Sequence, residues 1–234
     1  MGIKKFENNK IAYVKFGDDN SMPFITELNK YAKVTQVNGK DIATLKNKLK
    51  AFNLVIIGHH KSNDSPWKPY KFSKKELSWL EEIAKERTSN LILSVFAKPY
   101  ALLDVDSFKN IDGVIVAYQN SAIAQQKTAQ LIFGAIDAKG VLPVSAHADF
   151  PVKTNEQISS LKRLGYSIPE RVGFNSKKLA EVDKLVQDGL DSLMYPGAQV
   201  LIARKGRVIY NKGFGKPTYT SAEKVTTEHI YDLA

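Results

Sequence analysis

The sequence predicts an α/β fold. A parallel sheet of about five strands, wrapped by helices on both faces in flavodoxin-like order, is followed by a linker and a truncated α+β segment. Three observations carry this. Short β-branched runs alternate with helical segments through the first 140 residues. One run, Leu54–Gly58 (LVIIG), is apolar throughout, as a strand covered on both faces should be. From Gly140 to Val172 both periodicities stop, and a helix-and-hairpin pattern then begins.

Taken in order, Ile11–Phe16 alternates and reads as a strand, and Met22–Tyr31 carries Phe24, Ile25, Leu28 and Tyr31 on one helical stripe. Lys33–Val37 is the second strand. Asp41 is placed to cap a helix running to Ala51, with Ile42, Leu45 and Leu49 inward. Leu54–Gly58 gives the third strand, and a polar loop spans His59–Tyr70. Ser73 and Glu76 form a capping box for a helix that buries Leu77, Leu80, Ile83 and Ala84. Leu91–Phe96, a short helix near Leu102–Phe108, Gly113–Ala117 and a helix Ser121–Phe133 complete the unit, with Gly134 at the C-cap position. Right-handed crossovers leave the strand order 2-1-3-4-5 as the first choice.

The domain expectation is residues 1–146, a linker over 147–174, and a second unit over 175–234. Asn175 or Ser176 caps a helix carrying Leu179, Val182, Val186, Leu190 and Leu193. A hairpin then joins Gln199–Arg204 to Arg207–Asn211 through Lys205-Gly206. One helix and one hairpin cannot close a core, so this unit is expected to be truncated. The hairpin is expected to be mobile, or ordered only by docking on the first domain or by self-association with a second copy.

Composition excludes several function classes. There is no cysteine, so disulfides, thiolate metal sites and a cysteine nucleophile are ruled out. The net charge is +10, but it is spread along the chain: 21 basic against 15 acidic groups in residues 1–150, and 13 against 9 in 151–234. A nucleic-acid arm would concentrate that charge in one block, so no nucleic-acid partner is expected. No apolar run reaches membrane-spanning length.

In an open parallel sheet, ligands bind beyond the strand C-termini at the switch point. There the chain places Gly17-Asp18-Asp19-Asn20-Ser21 and His59-His60-Lys61-Ser62-Asn63-Asp64. Asp18 and Asp19 would repel a phosphate, and no GxGxxG exists, so no nucleotide or flavin cofactor is expected. A phosphorylatable receiver domain would need an aspartate where Gly58-His59 stands and a lysine where Tyr118 stands. Asp18, Asp19, His59, His60 and Asp64 could be read as a metal cluster. Adjacent histidines on a strand end point to opposite sides, however, so no metal site is expected.

Several stretches carry a family resemblance. IIGHHKSNDSPWKP, Phe96-Ala97-Lys98-Pro99-Tyr100, Ala117-Tyr118, Ile132-Phe133-Gly134 and Gly140-Val141-Leu142-Pro143-Val144 resemble the C-terminal α/β domain of family 3 glycoside hydrolases of the β-N-acetylglucosaminidase type, over roughly residues 5–146. LGYSIPERVGF, Pro196-Gly197, AQVLIARKGRVIYNKGFG and the final IYDLA resemble the opening of a serine β-lactamase or penicillin-binding-type domain of the class C kind. The first resemblance implies a TIM-barrel domain before residue 1 carrying the retaining machinery. The second implies an S-x-x-K nucleophile after Ala234. No catalytic residue is therefore expected within the chain. His59, His60, Asn63 and Asp64 are cleft candidates that such a domain could lend to a barrel's active site. The resemblance further implies a cell-envelope or periplasmic parent acting on glycan or muropeptide material. A carbohydrate- or protein-binding module is the competing expectation.

Overall fold

The computed structural model describes residues 9–86 and 89–231. Asp232 to Ala234 of the IYDLA match lie outside the described residues. The chain divides into two compact units, Met1–Leu161 and Lys162–Ala234.

The first unit holds five parallel strands in the order β2-β1-β3-β4-β5, as expected. They are β1 (Ile11–Gly17), β2 (Val34–Gln36), β3 (Leu54–His60), β4 (Asn90–Phe96) and β5 (Gly113–Val116). Between them run α1 (Met22–Leu28), α2 (Ile42–Leu49) and α3 (Lys74–Lys85), and α4 (Ala122–Ile132) follows β5. Period-two alternation sorts the strand side chains into two cores. Val14, Phe16, Val55, Ile57, Leu93 and Val95 meet Leu45 and Leu49 of α2 and Leu80 and Ile83 of α3. On the other face Ile11, Tyr13, Ile56, Ile92 and Phe96 meet Phe24 and Leu28 of α1 and Ala129 and Ile132 of α4.

Local chemistry sets the helix starts. The Asp41 carboxylate accepts from Thr44 N at 2.8 Å. Ser73 Oγ accepts from Glu76 N at 3.2 Å while Glu76 Oε2 accepts from Ser73 N at 2.7 Å, a complete capping box. Ser73→Ala should cost about 1 kcal/mol; urea denaturation checks this, and an unchanged midpoint would contradict it.

Three expectations at element ends differ. β3 continues through His59 and His60, because both imidazoles are buried against aromatic rings and the ladder to β4 runs on to His60↔Phe96. The short helix expected near Leu102–Phe108 is a 3-10 turn at Pro99–Asp104, started by the fixed φ of Pro99. α1 stops at Leu28, where Asn29 Nδ2 donates back to the Ile25 carbonyl.

Residues 147–174, expected as a linker, are shared between the units. Residues up to Leu161 form hydrogen-bonded loops on the first unit. Ala138 and Ile158 exchange backbone bonds of 2.8 and 3.0 Å, Leu161 N donates to Gly134 O at 2.7 Å, and Phe150 packs on Phe108. Isolated apolar anchors, not a periodic pattern, hold this stretch. Such anchors leave no periodic signature in the sequence.

In the second unit, β6 (Gly165–Tyr166) pairs parallel with β8 (Arg207–Gly215), which pairs antiparallel with β7 (Gly197–Arg204). Lys205 and Gly206 both have positive φ, 51° and 70°, the signature of a two-residue hairpin turn whose twist matches the strands. The expected single helix is two, α5 (Ser176–Leu179) and α6 (Glu181–Asp191), with the backbone tightening where Asp183 N bonds to Ala180 O. Val186 of α6 and Val208 and Tyr210 of β8 are buried in this unit. Asp183 clips helix to strand by accepting from Tyr210 Oη at 2.7 Å and Lys212 Nζ at 2.8 Å.

Candidate functional site

The C-terminal ends of β1, β3 and β5 meet in a buried polar chain. Asn120, four residues after β5, donates through Nδ2 to Asp19 Oδ2 at 2.8 Å and to the Asn20 carbonyl at 3.0 Å. Both partners are pure acceptors, so its Oδ1 is left to face His60 Nδ1 at 2.8 Å and accept from Gln125 Nε2 at 2.9 Å. His60 therefore carries its proton on Nδ1, and Nε2 accepts the Tyr13 hydroxyl at 2.8 Å. A single run of hydrogen bonds thus joins Tyr13, His60, Asn120 and Asp19.

Burial holds the His60 and Tyr13 members of this run neutral. Burial pushes the His60 imidazole down to about 4, against a smaller upward pull from Asn120. Burial also pushes the Tyr13 phenol well above its ordinary range. His60 is stacked on Phe96 with ring centroids 4.4 Å apart and is fully enclosed. It has neither the exposure nor a vacant lone pair to act as a general base toward a substrate. The arrangement is a buckle between three strand ends.

His59 faces the opposite side of the sheet. Its Nε2 lies 3.1 Å from the Tyr70 carbonyl, and its ring stacks on Phe72 at 3.8 Å. Burial lowers its pKa, offset in part by the Tyr70 carbonyl. Its Nδ1 is buried without a hydrogen-bond partner. Nearby, Glu76 Oε1 accepts from Gly17 N at 2.6 Å. Burial works to raise the Glu76 carboxyl, but the backbone bonds from Ser73 and Gly17 outweigh it and hold it low.

Of the four sequence candidates, His60 and Asn63 are brought together. Asn63 Oδ1 accepts from the Asn120 backbone N–H at 3.1 Å. His59 is separated from them by the sheet. Asp64 is exposed, accepting from Ser62 Oγ and pairing with Lys68 at 3.2 Å. Asp18 pairs with Lys61 at 3.3 Å. Asn120 and Gln125 were missed by sequence reasoning. Gln125 shares the inward helical stripe of Ala129 and Ile132, and a polar residue on such a stripe was the available signal.

Two other places bring together side chains or space that could serve chemistry. Thr226 Oγ1, His229 and Glu223 resemble a hydroxyl–imidazole–carboxylate array. However, His229 Nδ1 already accepts the Thr226 backbone N–H at 3.0 Å, and its Nε2 stands 3.8 Å from Glu223, beyond hydrogen-bond reach. That is turn geometry. A groove of about 430 Å³ runs between α3 and residues 104–110. Of the charges lining it, Lys85 pairs with Glu81 at 2.7 Å and Asp104 with Lys71 at 3.0 Å.

The surface above the buckle has a different character. From β1 through α4 the exposed large hydrophobics among the described residues are Met22, Trp67, Tyr100, Leu103, Tyr118 and Ile123, while Val141, Val152 and Leu161 are exposed in the loops beyond α4. Each of the first six lies in the connection, or the first helical turn, that follows a strand. Trp67 is 91% exposed, and Tyr118 is held at a φ of 66°, a conformation non-glycine residues rarely adopt.

No family model matches the chain. A protein of Escherichia coli O157:H7 described as "Putative D-alanyl-D-alanine carboxypeptidase" is 32% identical over 75 residues, covering 29% of this chain. The chain spans 17% of that relative's length. Among solved structures, a family 3 β-N-acetylglucosaminidase from Paenibacillus sp. str. FPU-7 is similar at 12% identity and a TM-score of 0.41, over 57% of this chain and 27% of that one. A family 3 exo-β-xylosidase is similar at 12% identity and a TM-score of 0.46, over 58% and 22%. A pilus assembly-related protein of Burkholderia pseudomallei gives 14% identity and 0.34, over 55% and 92%. With every TM-score below 0.5, these likenesses decide nothing about function.

Proposed function

We propose that this chain is a non-catalytic part of a larger cell-wall-directed hydrolase. In this reading the α/β unit is an accessory domain of a glycosidase, and the second unit belongs to a carboxypeptidase- or β-lactamase-like module. The observation that carries the accessory role is the cluster of exposed hydrophobic side chains, Met22, Trp67, Tyr100, Tyr118 and Ile123, in the connections that follow the strands, above histidines that are wholly enclosed. Such an edge suits docking against another domain better than turning over a substrate. The partial match to a carboxypeptidase-described protein supports the hydrolase setting. A glycan or muropeptide substrate, a barrel domain as docking partner and an envelope location all belong to this proposal.

The purified chain should hydrolyse neither an aryl β-N-acetylglucosaminide nor a chromogenic β-lactam, while a longer chain containing the partner domains should. Turnover by the chain alone, abolished by a substitution within it, would refute the accessory role. A second reading, a free-standing carbohydrate- or protein-binding module, is favoured by the exposure of Trp67, Tyr100 and Tyr118. Calorimetry with a muropeptide separates the two. Heat that disappears in Trp67→Ala and Tyr118→Ala supports the binding module, and no heat supports the accessory domain.

A further inference from the structure

Half of the second unit's Lys and Arg residues meet at one end, although they are scattered in sequence. β6 lies beside the start of β8 with Gly165 opposite Arg207, and Gly165 N donates to Gly206 O at 3.0 Å, which brings Lys162 and Arg163 to the hairpin turn. Arg204 lies over the Phe174 ring at 5.3 Å and approaches the Gly173 carbonyl at 3.4 Å, which brings Arg171 to the same turn. Lys162, Arg163, Arg171, Arg204, Lys205 and Arg207 therefore converge. The three segments 162–165, 171–174 and 204–207 contain no aspartate or glutamate. The neighbouring Glu170 accepts from both the backbone and the hydroxyl of Ser176, which draws its charge toward α5.

Apolar side chains stand exposed among these cations. Leu164 is 46% exposed, Ile168 57% and Phe174 37%. Ile168 opens the 3-10 turn Pro169–Val172 that carries Arg171, whose N–H bonds to the Ile168 carbonyl. A nucleic-acid or soluble polyanion site needs the positive charge but has no use for bare leucine and isoleucine. A lipid headgroup layer rewards both. Its surface potential attracts Lys and Arg, and its acyl boundary takes up the apolar side chains.

We propose that this end of the second unit, built from residues 162–168, 171–174 and 204–207 beside Glu170, is a peripheral docking surface for an anionic lipid bilayer. The charge attracts over about a Debye length, roughly 8–10 Å at physiological salt. Leu164, Ile168 and Phe174 then insert at the headgroup level. Each cation near such a surface contributes roughly fivefold in partitioning. This inference does not depend on the hydrolase reading, because it rests on the second unit alone.

The test is co-sedimentation of the full chain with vesicles of phosphatidylcholine containing phosphatidylglycerol, against vesicles of phosphatidylcholine alone. The chain should bind the anionic vesicles and leave the neutral ones. The combined substitution Lys162→Gln, Arg171→Gln, Lys205→Asn removes three exposed charges, and asparagine suits the positive φ of residue 205. It should weaken binding by at least tenfold, with circular dichroism unchanged. Ile168→Ser should abolish the residue of binding that survives high salt. Equal binding to both vesicle types, no binding at low salt, or no effect of the triple substitution would each overturn the proposal. So would full competition by a single-stranded oligonucleotide with Ile168→Ser behaving as wild type, which would assign the surface to a nucleic acid instead.

Discussion

Replacing Gly17 by alanine should destabilise the α/β unit by about 3 kcal/mol, the sum of a left-handed backbone penalty and an unrelieved contact. Gly17 ends β1 with a φ of +81°, and a Cβ built there would stand 1.9 Å from the His60 carbonyl oxygen. That oxygen is backbone, so no rotamer change can clear it. Moving the β1 end away would break the bond from Gly17 N to Glu76 and the bond from Asp19 N to His60 O. Gly113 provides the control, because a Cβ there meets nothing within 4 Å. Gly113→Ala should be nearly neutral, within about 0.5 kcal/mol. Urea denaturation of both variants checks the pair, and similar midpoints would show that the β1 end relaxes freely.

Acid should weaken the same region before its carboxylates titrate. The His60 pKa is lowered from 6.5 to about 4, so between those values the unfolded chain binds the proton and the folded one does not. The stabilisation is fully present above pH 6.5 and is lost as the pH falls toward 4, amounting to about 3 kcal/mol. His59, lowered by burial as well, acts with the same sign. Glu76 and Asp18 have depressed pKa values and contribute only at lower pH, as their carboxylates protonate. Denaturation between pH 7 and pH 4 reads the slope, and His60→Gln, which cannot titrate there, should flatten it. An identical slope in the variant would remove His60 as the cause.

The strands and helices of the first unit were legible because their burial is periodic. LVIIG, the Ser73–Glu76 box and the stripe of Leu80 and Ile83 each state their environment locally. Sequence alone puts the histidines in a loop because an imidazole reads as polar until a ring such as Phe72 or Phe96 is stacked on it. The buckle was illegible for a different reason. Asn120 meets Asp19 and Gln125 meets Phe24 across 101 residues, and no local pattern encodes that meeting. The basic end of the second unit was hidden in the same way, since three short segments supply it and only the β6–β8 pairing brings two of them together.

The packing of α1 against α4 also bears on how the chain acquires its fold during synthesis. Phe24 N donates to Gln125, Gln130 donates to Glu27 at 2.6 Å, and Tyr31 stacks on Phe133 at 5.0 Å. The first crossover helix therefore receives its cover from the last one. A ribosome adding about 5–20 residues per second needs on the order of 5–20 s to make the intervening hundred residues. During that interval Phe24 and Leu28 have no α4 to pack against. The nascent chain should consequently be a ligand for holdase chaperones until Phe133 has emerged, and it should lose that affinity abruptly when α4 closes the face.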